Sequence, residues 1–140
     1  LDAIGQIHRL PEPVQKQLEI SRQQLSKNTG LTLVLALSYG ARAEIVDASR
    51  AIAEKVQSGD LVPEEVTETM FGMHLYTSQI PDPDLLIRTS GEMRLSNFLL
   101  WQVSYAEMVV TETLWPEFRK AAFYTTLEEF AKRHRRFGKL

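Results

Sequence analysis

The residues best suited to chemistry in this sequence lie between Asp82 and Asn97, in the run Asp-Pro-Asp-Leu-Leu-Ile-Arg-Thr-Ser-Gly-Glu-Met-Arg-Leu-Ser-Asn. Arg88 closes a short apolar stretch, Leu85 to Ile87, that reads as a buried strand, and Arg94 follows beyond a Thr-Ser-Gly turn. Ser96 and Asn97 then stand where a compact helix, running to Gln102, is expected to begin. Two guanidinium forks, a hydroxyl and the open amides of a helix N-terminus make a diphosphate site, because each fork takes two phosphate oxygens and the helix dipole adds positive potential. Arginine keeps its charge at any burial, so such a site does not titrate away near neutral pH. The same residues fit a plainer arrangement, in which Arg88 and Arg94 pair with Asp82, Asp84 or Glu92 on a solvated rim, since surface ion pairs are common and weak.

For Arg88 to meet a ligand it must end a strand that opens on a cleft, and ligands bind beyond the carboxyl ends of strands in parallel α/β sheets. The rest of the chain supplies such a sheet. Leu1 to Ile7 reads as a strand, and Pro11 opens a helix carrying Val14, Leu18, Ser21 and Leu25 on one face, with Gly30 at the left-handed cap position. Leu31 to Leu37 is continuously apolar, as a strand covered on both faces would be. A helix over Arg42 to Ser58 places Ile45, Val46, Ser49, Ile52, Ala53 and Val56 inward and closes at Gly59; another opens at Pro63 with Glu64 and Glu65 in its first turn. After the proline-marked loop Gln79 to Pro83 come the strand ending at Arg88, a last strand near Met108 to Thr111, and a helix with Phe123, Leu127, Phe130 and Ala131 inside. Strand and helix alternate without a hairpin signal, which predicts an α/β fold with a mostly parallel central sheet flanked by helices, in a single domain over residues 1–140.

Composition narrows the chemistry further. With 44% hydrophobic residues the 140-residue chain can bury one core, and its net charge of −2 exerts no global pull on nucleic acid or anionic lipid. The absence of cysteine excludes disulfides, zinc–thiolate sites and thiol nucleophiles, and fits a reducing cytoplasm. The longest apolar run, residues 31–37, is far shorter than the roughly 20 residues a membrane-crossing helix needs, so contact with a membrane is expected to be peripheral at most. His8, His74 and His134 lack metal-ligand spacing and read as ordinary histidines; Trp101 and Trp115 read as core or dimer contacts. The basic tail from Lys132 to Arg136 lacks the interleaved exposed aromatics of a nucleic-acid surface.

Several longer motifs carry a resemblance. The run from Pro81 to Gln102 is similar to the signature of the cis-prenyltransferases, as are Tyr105-Ala106-Glu107, Leu114-Trp115-Pro116, Arg135-Arg136-Phe137-Gly138 and the segment Leu33 to Arg42, where Tyr39-Gly40-Ala41-Arg42 resembles the family's tyrosine-glycine-glycine-arginine turn. The resemblance spans essentially the whole chain. It implies an enzyme that condenses isopentenyl diphosphate with an allylic prenyl diphosphate such as farnesyl diphosphate, with magnesium as cofactor and a homodimer as the working form. It further implies that Arg88, Arg94 and Ser96 hold the diphosphate of isopentenyl diphosphate, that Leu95 is also substrate-binding, that Glu107 is associated with the magnesium ion, and that Arg136 and Gly138 reach the partner's diphosphate site. From its residues alone Glu107 reads as a carboxylate at a strand edge, and Arg42 either lines the cleft or caps the sheet edge.

The family's allylic site rests on an N-terminal aspartate-glycine-asparagine-glycine-arginine loop, a helix with arginine and histidine, and a loop preceding a tryptophan, and none of these is in this sequence. The sequence therefore reads as the C-terminal portion of a cis-prenyltransferase, inactive alone, with its catalytic aspartate upstream. Two other readings are a non-catalytic accessory subunit of a heteromeric prenyltransferase, against which the retained Arg88, Arg94 and Ser96 count, and a general phosphate-binding α/β module.

Overall fold

The computed structural model describes residues 1–133, so Arg136, Gly138 and His134 lie outside the described residues. The chain forms two compact units, Leu1–Ile80 and a second that begins at Pro81. Each contains one parallel strand pair with helices beside it, which is the α/β class that the alternation predicts.

In the first unit β1 (Asp2–Ile4) lies parallel to β2 (Val34–Ala36), with Asp2 opposite Val34 and Ile4 opposite Ala36. The crossover is α1 (Glu12–Leu25), entered through Pro11 and Pro13 and tied back to β1 by Arg22, whose Nη2 donates to Asp2 Oδ1 at 2.5 Å and to Ala3 O at 3.2 Å. This helix stops at Ser26 in a right-handed conformation, so Gly30 is not its cap. Helix α2 (Ala41–Ser58) does end as its sequence predicts, on Gly59 at φ +81°, a left-handed turn that glycine adopts without a Cβ penalty.

The inward face of α2 differs from the apolar stripe. Ala41, Glu44, Ala48 and Ile52 are buried, whereas Val46, Ser49 and Ala53 are exposed. The reason is Glu44, which is fully buried and accepts from Tyr39 Oη at 2.5 Å and from the Tyr76 backbone amide at 2.8 Å. A carboxylate satisfied in this way can occupy a core position that a hydrophobicity pattern assigns to solvent. Beyond it, Pro63–Glu65 forms only a 3-10 turn, and α3 (Glu68–Gly72) starts at Thr67, whose Oγ1 accepts from Met70 N at 3.2 Å.

In the second unit β3 (Leu85–Arg88) runs parallel to β4 (Glu107–Val110), Leu85 opposite Glu107 and Arg88 opposite Val110, and α4 (Lys120–Ala131) packs on β4. Val109 is completely buried, and Gln102 and Thr126 are buried polar neighbours of this core. The connection between the strands is irregular. The helix expected from Asn97 to Gln102 is absent, because Ser96, Asn97 and Leu99 take φ of 49°, 63° and 48°, and only Gln102–Tyr105 winds into a 3-10 turn. Right-handed helix cannot pass through left-handed residues, and asparagine is among the few side chains that tolerate that region. In α4, Thr126 rather than Ala131 faces inward, its Oγ1 donating to Phe123 O at 2.7 Å.

Candidate functional site

Arg88 ends β3, at the carboxyl end of the parallel pair, as its sequence position predicts. The chain then turns back through Ser90 and Gly91, both at φ +66°. Their amides donate to Thr113 O at 3.0 Å and Thr111 O at 2.9 Å, so the turn is pinned to the strand exit of β4. A side chain at Gly91 would place its Cβ 2.4 Å from Glu112 Oε2, so that side chain would have to move, and the left-handed φ itself favours glycine. This pinned turn returns the chain beside Arg88 and delivers Glu92 and Arg94 next to it.

The three side chains meet. Arg88 and Arg94 each donate through Nη2 to the Glu92 carboxylate, one to each of its oxygens. Arg88 and Glu92 are each about one-third exposed, whereas Arg94 is 65% exposed. The Nε of Arg88 is buried and without a partner among the described residues, so one donor of that fork awaits an acceptor.

Both arginines line a cavity of about 560 Å³ that lies within the second unit. Leu86, Ile87 and Thr89 of the strand and turn line it together with Leu95 and the aromatic residues Phe98, Trp115, Phe118 and Phe123. Trp115 and Phe118 stack with centroids 6.4 Å apart, and Phe123 meets Phe118 edge-on at 6.4 Å. Trp115 is 74% exposed, so it is cavity wall rather than core, and Phe123 likewise faces the cavity instead of the interior. Phe118 and Phe123 are residues that sequence reasoning did not assign to the site; the signal was the aromatic run itself, which reads equally as packing. The arrangement presents two cations beside an apolar concavity, the surface that an anion with a hydrocarbon group attached would fit.

Not every expected residue joins it. Ser96 is exposed and does not line the cavity, and no helix N-terminus stands at Ser96–Asn97, so the expected dipole contribution is missing. Glu107 begins β4 opposite Leu85, three ladder positions from Arg88, roughly 10 Å at ~3.3 Å per residue. Its carboxylate accepts from Arg133 Nη1 at 3.1 Å, and the same nitrogen donates to Met108 O at 2.8 Å, while Arg133 Nη2 holds Glu129 at 2.5 Å. The carboxylates of Glu107 and then Glu129 hold the Arg133 pKa above its ordinary value. A magnesium ion wants near-octahedral oxygen ligation. Among the described residues no three His, Asp or Glu side chains come together, and the one carboxylate expected to serve is already matched by a guanidinium. The described residues thus do not form a metal site by themselves. Among the described residues, too, no helix is long and apolar enough to cross a membrane.

The first unit has its own polar cluster. Asp47 accepts from Tyr76 Oη, and from Gln6 Nε2 at 3.2 Å. The hydrogen bond from Tyr76, then that from Gln6, holds the Asp47 carboxyl below the usual range. Burial, and then that same bond to Asp47, pushes the Tyr76 phenol up to about 12. Arg42 sits exposed in the first turn of α2.

Comparison with known proteins places this geometry in context. The family model of undecaprenyl diphosphate synthases, a prenyltransferase family, matches residues 1–138. The chain is 50% identical over 137 residues to an isoprenyl transferase of Porphyromonas gingivalis, an alignment covering 98% of this chain and 54% of that protein. It is 46% identical over 140 residues to a ditrans,polycis-undecaprenyl-diphosphate synthase of Micrococcus luteus specific for (2E,6E)-farnesyl diphosphate, covering all of this chain and 56% of that one. Among solved structures, lavandulyl diphosphate synthase from Lavandula x intermedia, in complex with dimethylallyl diphosphate, superposes with a TM-score of 0.94 at 42% identity, over 99% of this chain and 59% of that chain. The chain spans about half the length of the curated relatives it matches.

Proposed function

The chain belongs to the undecaprenyl diphosphate synthase family of prenyltransferases, and on that premise we propose that it is part of a cis-prenyltransferase, joining isopentenyl diphosphate to an allylic prenyl diphosphate. The single observation that carries this reading is that Arg88 and Arg94, brought together by Glu92, line the same cavity as Phe98, Trp115, Phe118 and Phe123. In it the two guanidiniums grip the diphosphate of isopentenyl diphosphate, and Leu95 and the aromatic wall take its hydrocarbon part out of water. Charged hydrogen bonds to phosphate oxygens in a cavity with apolar walls are stronger than in bulk water, so the forks both bind the substrate and fix the direction in which its double bond points. The resemblance also assigns Ser96 to this head group, but it stands outside the cavity lining, one residue past Leu95. Arg136 and Gly138 complete the site of a partner copy in a homodimer.

Both compact units are taken as parts of one transferase domain, since the family match runs through both. Magnesium, which membership of this family implies, would neutralise charge on the diphosphates; Glu107 is the carboxylate that the resemblance assigns to it, and since Glu107 is paired with Arg133 the ligands would have to be completed from outside the described residues. An accessory-subunit role is disfavoured because both candidate diphosphate-binding arginines are present and line the cavity. The test is steady-state kinetics of the full-length protein with farnesyl diphosphate and labelled isopentenyl diphosphate. Arg94→Ala removes a charged hydrogen-bond donor of roughly 1.5–3 kcal/mol, so the KM for isopentenyl diphosphate should rise about 10- to 100-fold with a fall in turnover. Unchanged kinetics in that variant would remove the assignment.

A further inference from the structure

The Glu92 carboxylate lies where a bound anion is expected, bridging the guanidiniums of Arg88 and Arg94 with one oxygen to each. Partly exposed ion pairs add little to stability, so this bridge has small value as a structural brace. Its position has a larger consequence for ligands. Resting on the reading of this cavity as a diphosphate site, we propose that Glu92 is an internal counter-anion that must be displaced before phosphate binds, and that it raises the threshold for occupancy so that a single phosphate group is excluded and a diphosphate is admitted.

The argument is one of counting donors and acceptors. With Glu92 in place the triad carries a net charge of +1 instead of +2, and one Nη2 of each fork is occupied. Each fork can donate to two phosphate oxygens, against the single carboxylate oxygen it donates to now. A diphosphate carries two phosphoryl groups and can satisfy both forks, including the unpartnered Nε of Arg88, and so gains more than it displaces. A lone phosphate engages the pair with fewer oxygens while displacing the same carboxylate, and its net gain is small. The turn that delivers Glu92 is pinned by the amides of Ser90 and Gly91, so the carboxylate is held near the forks at high effective concentration after it has been displaced. Release of product is aided in the same way.

The experiment is titration calorimetry on the full-length protein in magnesium-free buffer, with inorganic pyrophosphate and inorganic phosphate as probes, for the native sequence, Glu92→Gln, Glu92→Asp and Arg94→Ala. Glu92→Gln should tighten both probes about tenfold, the factor that two partly exposed ion pairs are together worth, and bring phosphate into a measurable range. Glu92→Asp keeps the charge but withdraws it by one methylene, and should fall between. Tightening in that order supports the proposal. Unchanged or weaker binding in Glu92→Gln, with circular dichroism unaltered, overturns it and makes Glu92 a residue that positions the forks. The underlying reading fails separately: in that event the native protein binds no pyrophosphate, or Arg94→Ala binds it as well as the native protein does.

Discussion

The turn at Ser90–Gly91 holds the candidate site together, and Gly91→Ala tests it in a way that separates two physical terms. Gly91 lies at φ +66°, and an added Cβ would stand 2.4 Å from Glu112 Oε2 and 2.9 Å from its Cδ. The left-handed conformation costs an L-residue about 1–2 kcal/mol whatever its neighbours do. The steric part depends on Glu112, the end of a flexible side chain, and disappears if that side chain is truncated. In the full-length protein followed by denaturant unfolding, Gly91→Ala in a Glu112→Ala background should therefore cost only the conformational ~1–2 kcal/mol. In the native background it should cost more, by a coupling of about 0.5–3 kcal/mol, the range for residues in direct contact. Pyrophosphate affinity should fall with it, because the same turn sets Glu92 and Arg94 against Arg88. Equal costs in the two backgrounds would show that no contact with Glu112 exists, and a cost under about 0.5 kcal/mol in both would show that the turn is not left-handed.

Two further outcomes follow from the first unit. Tyr76 has its pKa pushed up to about 12 by burial and by its bond to Asp47, so the folded state holds the phenolic proton more tightly than the unfolded chain; the stability this contributes is complete below pH ~10 and is lost as pH rises from there toward the folded value. Thermal midpoints measured from pH 9 upward should decline more steeply for the native protein than for Tyr76→Phe, and parallel curves would refute the assignment. Asp47, whose pKa is lowered by its Tyr76 and Gln6 bonds, contributes in the opposite sense, with stability present above its ordinary value near 3.8 and lost on further acidification. Glu44→Leu fills the volume but removes the acceptor of the Tyr76 amide and of one Tyr39 hydroxyl bond, and should destabilise by roughly 1–3 kcal/mol in chemical denaturation; a loss below about 0.5 kcal/mol would mean that Glu44 is not the acceptor.

Much of the site's frame is legible in the chain itself. Leu85–Ile87 followed by an arginine is a half-buried strand delivering a cation to its carboxyl end, and Gly59 after a long periodic segment ends a helix; both rest on local sterics and period, which neighbouring residues determine. The Asp82–Asn97 run left two possibilities open for its arginines, a diphosphate site and ion pairs with nearby carboxylates; the fold pairs both with Glu92 and sets both in the lining of a cavity. The helix expected at Asn97–Gln102 failed because propensity does not register that Ser96, Asn97 and Leu99 are driven left-handed while the chain crosses between parallel strands.

By itself, then, the amino-acid order determined the α/β class, the strand that carries Arg88, and through its long motifs the family to which the chain belongs. Only the tertiary structure decided that Glu92 bridges both guanidiniums, that Trp115 and Phe123 are cavity wall, that Glu107 sits at the far end of the ladder against Arg133, and that Glu44 is core. The reason is physical: period and propensity act over a turn of helix or a strand's length, whereas the burial of Glu44 and the turn that brings Arg94 back to Arg88 are settled by partners far along the chain, the Tyr76 amide and the Thr111 and Thr113 carbonyls, where a satisfied hydrogen bond outweighs the local preference.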